Sequence, residues 1–232
     1  MENMEIIKKA FTATIPVLSG YIVLGIGYGM IMASKGFGIL WSLGLSLFLY
    51  AGTMQFVAIG LLTGGASLLT VLLTTLAVNA RHLFYGISMV DKYKDVPKKP
   101  FLIFSLSDET YALVSNDLSC KDMTEGSRKK FYFYVSLMDY AYWVIGTALG
   151  SLAGAALSFN TAGMDFALTA LFVSVFVEQW LTTRDHTAGI TGLVASVICL
   201  VIIGPENFLI PAMILITIAL TIMRKKKGIT NE

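Results

Sequence analysis

FSLSDETYALVS, Phe104–Ser115, sets two carboxylates, Asp108 and Glu109, side by side in a run otherwise apolar enough for a lipid bilayer. An ionised carboxylate at the centre of a membrane helix costs roughly 2.5–3.5 kcal/mol even on the gentlest scale. The pair therefore faces something other than lipid. Adjacent helical residues point about 100° apart, so one side chain can face a cavity while the other pairs elsewhere. Two such carboxylates suit proton exchange or recognition of an ammonium group. The plainer alternative is capping, since negative charge at the start of a broken helix is stabilised by the helix dipole. The two readings are compatible.

The rest of the chain is as apolar as this run. Of its 232 residues 56% are hydrophobic and 14% charged, against about 25% charged in soluble domains, and the mean hydropathy is +0.73. This composition predicts an all-α, polytopic integral membrane helix bundle, one transport domain over residues 1–232. The first apolar run lacks the layout of a cleaved secretory signal and reads as a span. Cys120 and Cys199 have neither disulfide nor metal spacing. The two histidines have no carboxylate-spaced partner, so no metal or other cofactor is expected. Walker, HExxH and GxSxG patterns are absent, which argues against ATP coupling within this chain and against an enzyme. Nothing points to nucleic acid.

About 20 apolar residues cross a 30 Å hydrocarbon core. Eight segments are long enough or nearly so: Phe11–Ala33, Ile39–Thr63, Ala66–Val90, Phe101–Ser115, Phe131–Ser158, Met164–Thr183, Thr187–Gly204 and Phe208–Met223. The fourth is short and either spans with a tilt or re-enters. Lys and Arg favour the cytoplasmic side. Sixteen of them lie outside the third segment; eight spans with an internal N-terminus place eleven inside, whereas seven spans with a re-entrant fourth segment and an external N-terminus place fourteen inside. Charge thus favours seven spans in the plasma membrane with a cytoplasmic C-terminus. Lys8-Lys9 and Lys129-Lys130 each enter a glycine-bearing span, and Gly38…Gln55 is echoed by Gly163…Gln179 about 125 residues later. In the seven-span topology residues 8–115 and 129–223 form an inverted repeat, a common transporter plan with the site near the midplane.

In the third segment Leu72, Leu73, Leu76, Ala77, Ala80, Leu83, Phe84 and Ile87 share one half of a helical wheel. Thr70, Thr74, Thr75, Arg81, His82, Tyr85, Gly86 and Ser88 share the other, with Asn79 at the edge. The first half reads as lipid-facing, the second as bundle-facing. Arg81 either pairs structurally and snorkels or meets substrate; His82 either packs or carries a proton. Gly52 in YAGTMQF permits unwinding near Thr53 and Gln55, and Glu178 and Gln179 stand in the matching SVFVEQW; the alternative is two long, tilted helices. Asp139, Trp143, Gly146, Gly150 and Gly154 share one face of the fifth segment. Glycines at four-residue spacing signal close helix packing, and Asp139 either packs with them or lines the pathway.

The run AGTMQFVAIGLLTGGASLLTVLLTTLAVNARHLFYGISM resembles the signature of the AzlC family of branched-chain amino acid exporters, in Gln55-Phe56 and in Asn79, Arg81, His82, Leu83, Tyr85 and Gly86. SDETYAL, YWVIGTALGSLAG and GMDFALTALFVSVFVEQW resemble its other blocks. The resemblance implies a permease exporting leucine, isoleucine, valine and in some members methionine, working with a small hydrophobic AzlD-type subunit. A homo-oligomer is also compatible. The other readings are a channel-like facilitator for another small solute and a non-catalytic membrane subunit.

Overall fold

The computed structural model describes residues 3–115, 123–156, 173, 176–177, 180–181, 185–204 and 208–229. Among them the regular structure is helical: α1 Asn3–Ser34, α2 Ile39–Phe48, α3 Gly52–Thr63, α4 Leu68–Met89, α5 Lys99–Phe104, α6 Asp108–Ser115, α7 Glu125–Ala156, α8 Thr187–Ile203 and α9 Leu209–Ile229. The all-helical expectation holds. Among the described residues α1 and α4 are long and apolar enough to cross a membrane. The chain divides into two compact units, residues 1–67 with 78–168, and residues 68–77 with 169–232.

The first unit is organised by α1 and α7, each 32 residues long. Their facing surfaces are bare backbone. A Cβ added to Gly150 would overlap the Ile26 carbonyl oxygen, and one on Gly29 the Thr147 carbonyl oxygen. Gly25 lies against Gly146 and Thr147, and Gly154 against Met30 and Ala33. The glycine face read from the fifth segment is thus the face that meets α1. Without side chains between them the helices approach until backbone atoms touch, which maximises dispersion contact.

The pair runs parallel. Near their starts Lys130 Nζ donates to Asn3 Oδ1 at 2.6 Å; further along, Thr14 and Tyr142 share a hydroxyl hydrogen bond at 3.2 Å; beyond that the glycines meet in rising order on both helices. The residues that begin the two halves, Lys8-Lys9 and Lys129-Lys130, therefore lie toward one end. This departs from the expected inverted repeat, in which they begin on opposite sides.

The reason lies in the second segment, which is not a continuous span. It breaks at Leu49–Ala51, where Tyr50 takes a left-handed φ of +43°, and α3 returns along α2. Gln55 Nε2 donates to Ser46 Oγ at 2.9 Å, bringing residues on either side of the break level. Phe56 packs edge-on to Tyr28, well up α1. The last turn of α4 confirms the direction, because Met89 lies in a core with Ile6, Ala10, Phe131 and Tyr132 at the starting end of the pair. The segment enters and leaves at one end, so one fewer crossing separates α1 from α7 and the charge count reverses.

The fourth segment is a second broken hairpin, from the opposite end. Phe101 lies against Phe133 and Phe104 against Tyr140; after the break at Ser105–Ser107, Thr110 reaches Asp139 and Val114 rejoins the core around Phe131. The re-entrant reading fits this path. The tips of the two hairpins meet halfway along α7, with the Tyr50 ring 6.1 Å from Phe104 and 4.9 Å from Tyr140.

Large apolar side chains are exposed as well as buried. Leu72, Leu76, Leu83, Phe84 and Ile87 of α4 are all exposed, and they belong to the half assigned to lipid. In the second unit α8 and α9 pack antiparallel, with Thr191 at the start of one against Met223 at the end of the other. There Cys199 is a free, buried thiol, and His186 stacks on Trp180 at 4.2 Å.

Gly150→Ala is expected to lower the yield of folded protein and its melting temperature in detergent. Gly27→Ala, where an added Cβ meets nothing within 4 Å, is expected to be neutral or slightly stabilising, since Ala is favoured over Gly by about 1 kcal/mol within a helix. Equal melting temperatures for the two variants would refute backbone contact as the basis of the pair.

Candidate functional site

The centre of the first unit collects most of the charge that the sequence embeds among apolar residues. Two helices begin there, α3 at Gly52 and α6 at Asp108. The first N–H groups of a helix have no partner within it and carry partial positive charge. Ala51 gives α3 no side-chain cap. On α6, Ser107 Oγ accepts from the Thr110 N–H at 3.1 Å, and Asp108 and Glu109 fill the first turn. The capping reading of the acidic pair is therefore correct for position, and α6 is the reason two carboxylates are adjacent.

Arg81 of α4 joins the two tips. Its Nη1 forms an ion pair with Asp108 Oδ2, and its Nη2 donates to Thr53 Oγ1 at 3.0 Å. The side chains of Arg81 and Asp108 are 37% and 33% exposed. Tyr85 stacks on Tyr111 at 4.4 Å and borders Asp108. His82 donates from Nδ1 to the Asn79 carbonyl of its own helix at 3.2 Å and packs edge-on to Tyr85. Asn79 enters this arrangement through its backbone.

Glu109 leaves the tip in another direction, its Oε2 hydrogen-bonded with the Tyr21 hydroxyl at 2.5 Å. Asp139 is fully buried on α7 and accepts from Thr110 Oγ1 at 2.7 Å. Gln55 is also sealed. It donates to Ser46 and accepts from Trp143 Nε1 at 3.0 Å, and Ser46 continues to Thr147 at 2.9 Å. This network fixes the first hairpin to α7. Gly52 lies close under Trp143 where the chain turns into α3; a Cβ there would stand 3.3 Å from the ring, and the indole would have to give by a few tenths of an ångström.

Gly52, Thr53, Gln55, Arg81, Tyr85, Asp108, Glu109 and Asp139 thus come together in one unit, while Glu178 and Gln179 lie outside the described residues. Sequence reasoning missed Tyr21, Ser46, Ser107, Thr110 and Thr147. Ser107 carried a signal, a serine just before an acidic first turn. Tyr21, in a glycine-rich span, carried none.

Residues 16–157 match the protein-family model described as AzlC protein. The chain is 42% identical over 219 residues to the branched-chain amino acid transport protein AzlC of Bacillus subtilis, covering 94% of this chain and 85% of that one. It is 41% identical to an uncharacterized membrane protein of Helicobacter pylori, over 97% of this chain and 98% of the relative. It is 28% identical to the inner membrane protein YgaZ of Escherichia coli, over 79% and 78%. No solved structure matches.

The two polar clusters differ in their expected contribution to stability. The part-exposed Arg81–Asp108 pair is worth on the order of 1 kcal/mol or less, so Asp108→Asn is expected to leave the melting temperature nearly unchanged. Gln55→Leu strands the Trp143 N–H in the core and leaves the Ser46 hydroxyl only its Thr147 partner, at about 1–3 kcal/mol for the orphaned group. Thermal melts in one detergent check the order, and a larger loss for Asp108→Asn would reverse it.

Proposed function

The chain belongs to the AzlC family, and from that premise we propose that it is a secondary transporter exporting branched-chain and other neutral aliphatic amino acids, namely leucine, isoleucine, valine and methionine. The observation that carries this reading is the Arg81–Asp108 pair across the meeting tips of two broken hairpins. A zwitterion brings one charge of each sign. Its carboxylate takes Arg81 and the free N–H groups of Gly52 and Thr53, where the start of α3 favours an anion. Its ammonium takes Asp108, with Glu109 one position along. Substrate thus replaces a part-exposed internal pair by two external ones, and the aliphatic side chain lies among Leu, Val and Phe.

Orientation follows from charge. Lys8, Lys9, Lys130 and the Lys92–Lys99 run mark the starting end of the α1–α7 pair as cytoplasmic, which places the N-terminus inside. By the same charge rule the C-terminal Arg224–Lys227 run is assigned to the cytoplasmic side. One proton moving inward across 100 mV supplies about 2.3 kcal/mol, which sustains roughly a fifty-fold substrate gradient. A small hydrophobic subunit of the AzlD type is the partner.

Leucine efflux from loaded cells tests the reading. A charge-assisted hydrogen bond contributes about 1.5–3 kcal/mol, so Arg81→Ala is expected to lower efflux at subsaturating leucine by roughly ten- to a hundred-fold. Asp108→Asn is expected to fall by a similar factor. Unchanged efflux in both variants at normal expression refutes the assignment.

A further inference from the structure

Four hydrogen bonds link Glu109 to Asp139 without a gap. Glu109 Oε2 contacts Tyr21 Oη at 2.5 Å. Tyr21 Oη contacts Ser107 Oγ at 2.7 Å, Ser107 Oγ contacts Thr110 Oγ1 at 3.1 Å, and Thr110 Oγ1 contacts Asp139 Oδ2 at 2.7 Å. The chain starts at an exposed carboxyl on the hairpin tip, crosses to α1, returns to α6 and ends at a fully buried carboxyl on α7. Tyr21 and Thr110 are buried along the way.

Counting protons decides what the chain can do. Each of the four contacts needs one hydrogen. The three hydroxyls supply one each, and the Thr110 N–H only adds a donor to Ser107. The fourth hydrogen must sit on a carboxyl. Two arrangements satisfy every contact: Glu109 donates and the order runs Tyr21, Ser107, Thr110 to an ionised Asp139, or Asp139 donates and the order runs back to an ionised Glu109. They differ by shifting one hydrogen at every link, which moves one proton between the ends and leaves each hydroxyl neutral.

We propose that Glu109, Tyr21, Ser107, Thr110 and Asp139 form a proton relay holding one proton between two carboxyls, with Glu109 its accessible end and Asp139 its sealed end. Among the described residues the ionisable groups around it include Asp108, paired with Arg81, Tyr50, whose hydroxyl borders those of Tyr21 and Ser107, and Tyr85, which borders Asp108 and Glu109. Three of the five members ride on the α5–α6 tip, which also carries Asp108. Movement of that tip breaks the contacts to Tyr21 and Asp139 together, so one displacement opens the substrate pair and interrupts the relay. This coupling to efflux rests on the transporter reading; the shared proton does not.

Infrared spectroscopy of the purified protein at neutral pH reads the proton directly. A protonated-carboxyl C=O band is expected in the wild type and is expected to disappear in Glu109→Gln/Asp139→Asn. A wild type without the band, or a double variant that keeps it whole, overturns the relay. Proteoliposomes read the coupling. Tyr21→Phe, which removes one link and keeps both carboxyls and the Thr110 anchor, is expected to lower proton-driven leucine movement at least about ten-fold while leucine counterflow stays within about two-fold, as loss of a positioned proton-transfer group does. A variant with undiminished proton-driven movement overturns the coupling role. A wild type without leucine counterflow refutes the transporter reading instead, and the infrared band still decides the relay.

Discussion

Backbone-to-backbone contact between α1 and α7 is the constraint on which the first unit depends. Gly25, Gly29, Gly146, Gly150 and Gly154 remove the side chains that normally hold helices apart. In lipid, where neighbouring tails are as apolar as leucine, association relies on such close packing. Once the pair is fixed, Thr14–Tyr142 and Lys130–Asn3 pin its register. The two hairpins then have a common wall to lie against, and Trp143 and Tyr140 of α7 receive their tips.

Broken helices serve a purpose that continuous ones do not. A span satisfies all its backbone groups internally and offers a solute nothing. At Tyr50–Ala51 and Ser105–Ser107 the ladder stops, and two helix starts are left facing the middle of the unit. Irregular backbone at this depth is tolerated where it is buried in protein or lines a wet cavity. The polar side chains at the tips follow from that: Gln55 anchors one hairpin, Thr110 anchors the other, and Arg81 bridges them.

The sequence announced the breaks better than their consequences. Gly52 and the Asp108-Glu109 doublet each marked an interruption, and Arg81, sitting on the polar half of an otherwise greasy helix, had to find a partner. The exposed apolar half of α4 was legible from periodicity alone. Topology was not, because counting Lys and Arg requires knowing which apolar runs cross. Ile39–Thr63 is long enough to span and apolar throughout, so its return at Tyr50 leaves no mark in hydropathy. Tyr21 was illegible for a different reason. Nothing in its own segment signals the partners Glu109 and Ser107, which lie more than eighty residues away. The glycine spacing, by contrast, identified the packing face correctly, since a four-residue period fixes a face whatever the partner.

The separation between α1 and α7 also bears on biosynthesis. Their first residues, Asn3 and Glu125, are 122 positions apart. At about 5–20 residues per second, α1 leaves the ribosome roughly 6–24 s before the whole of the matching stretch follows. During that interval its glycine groove is open to any other small-residue helix in the bilayer. The insertion machinery must therefore hold a half-finished chain whose best-fitting partner has not yet been made.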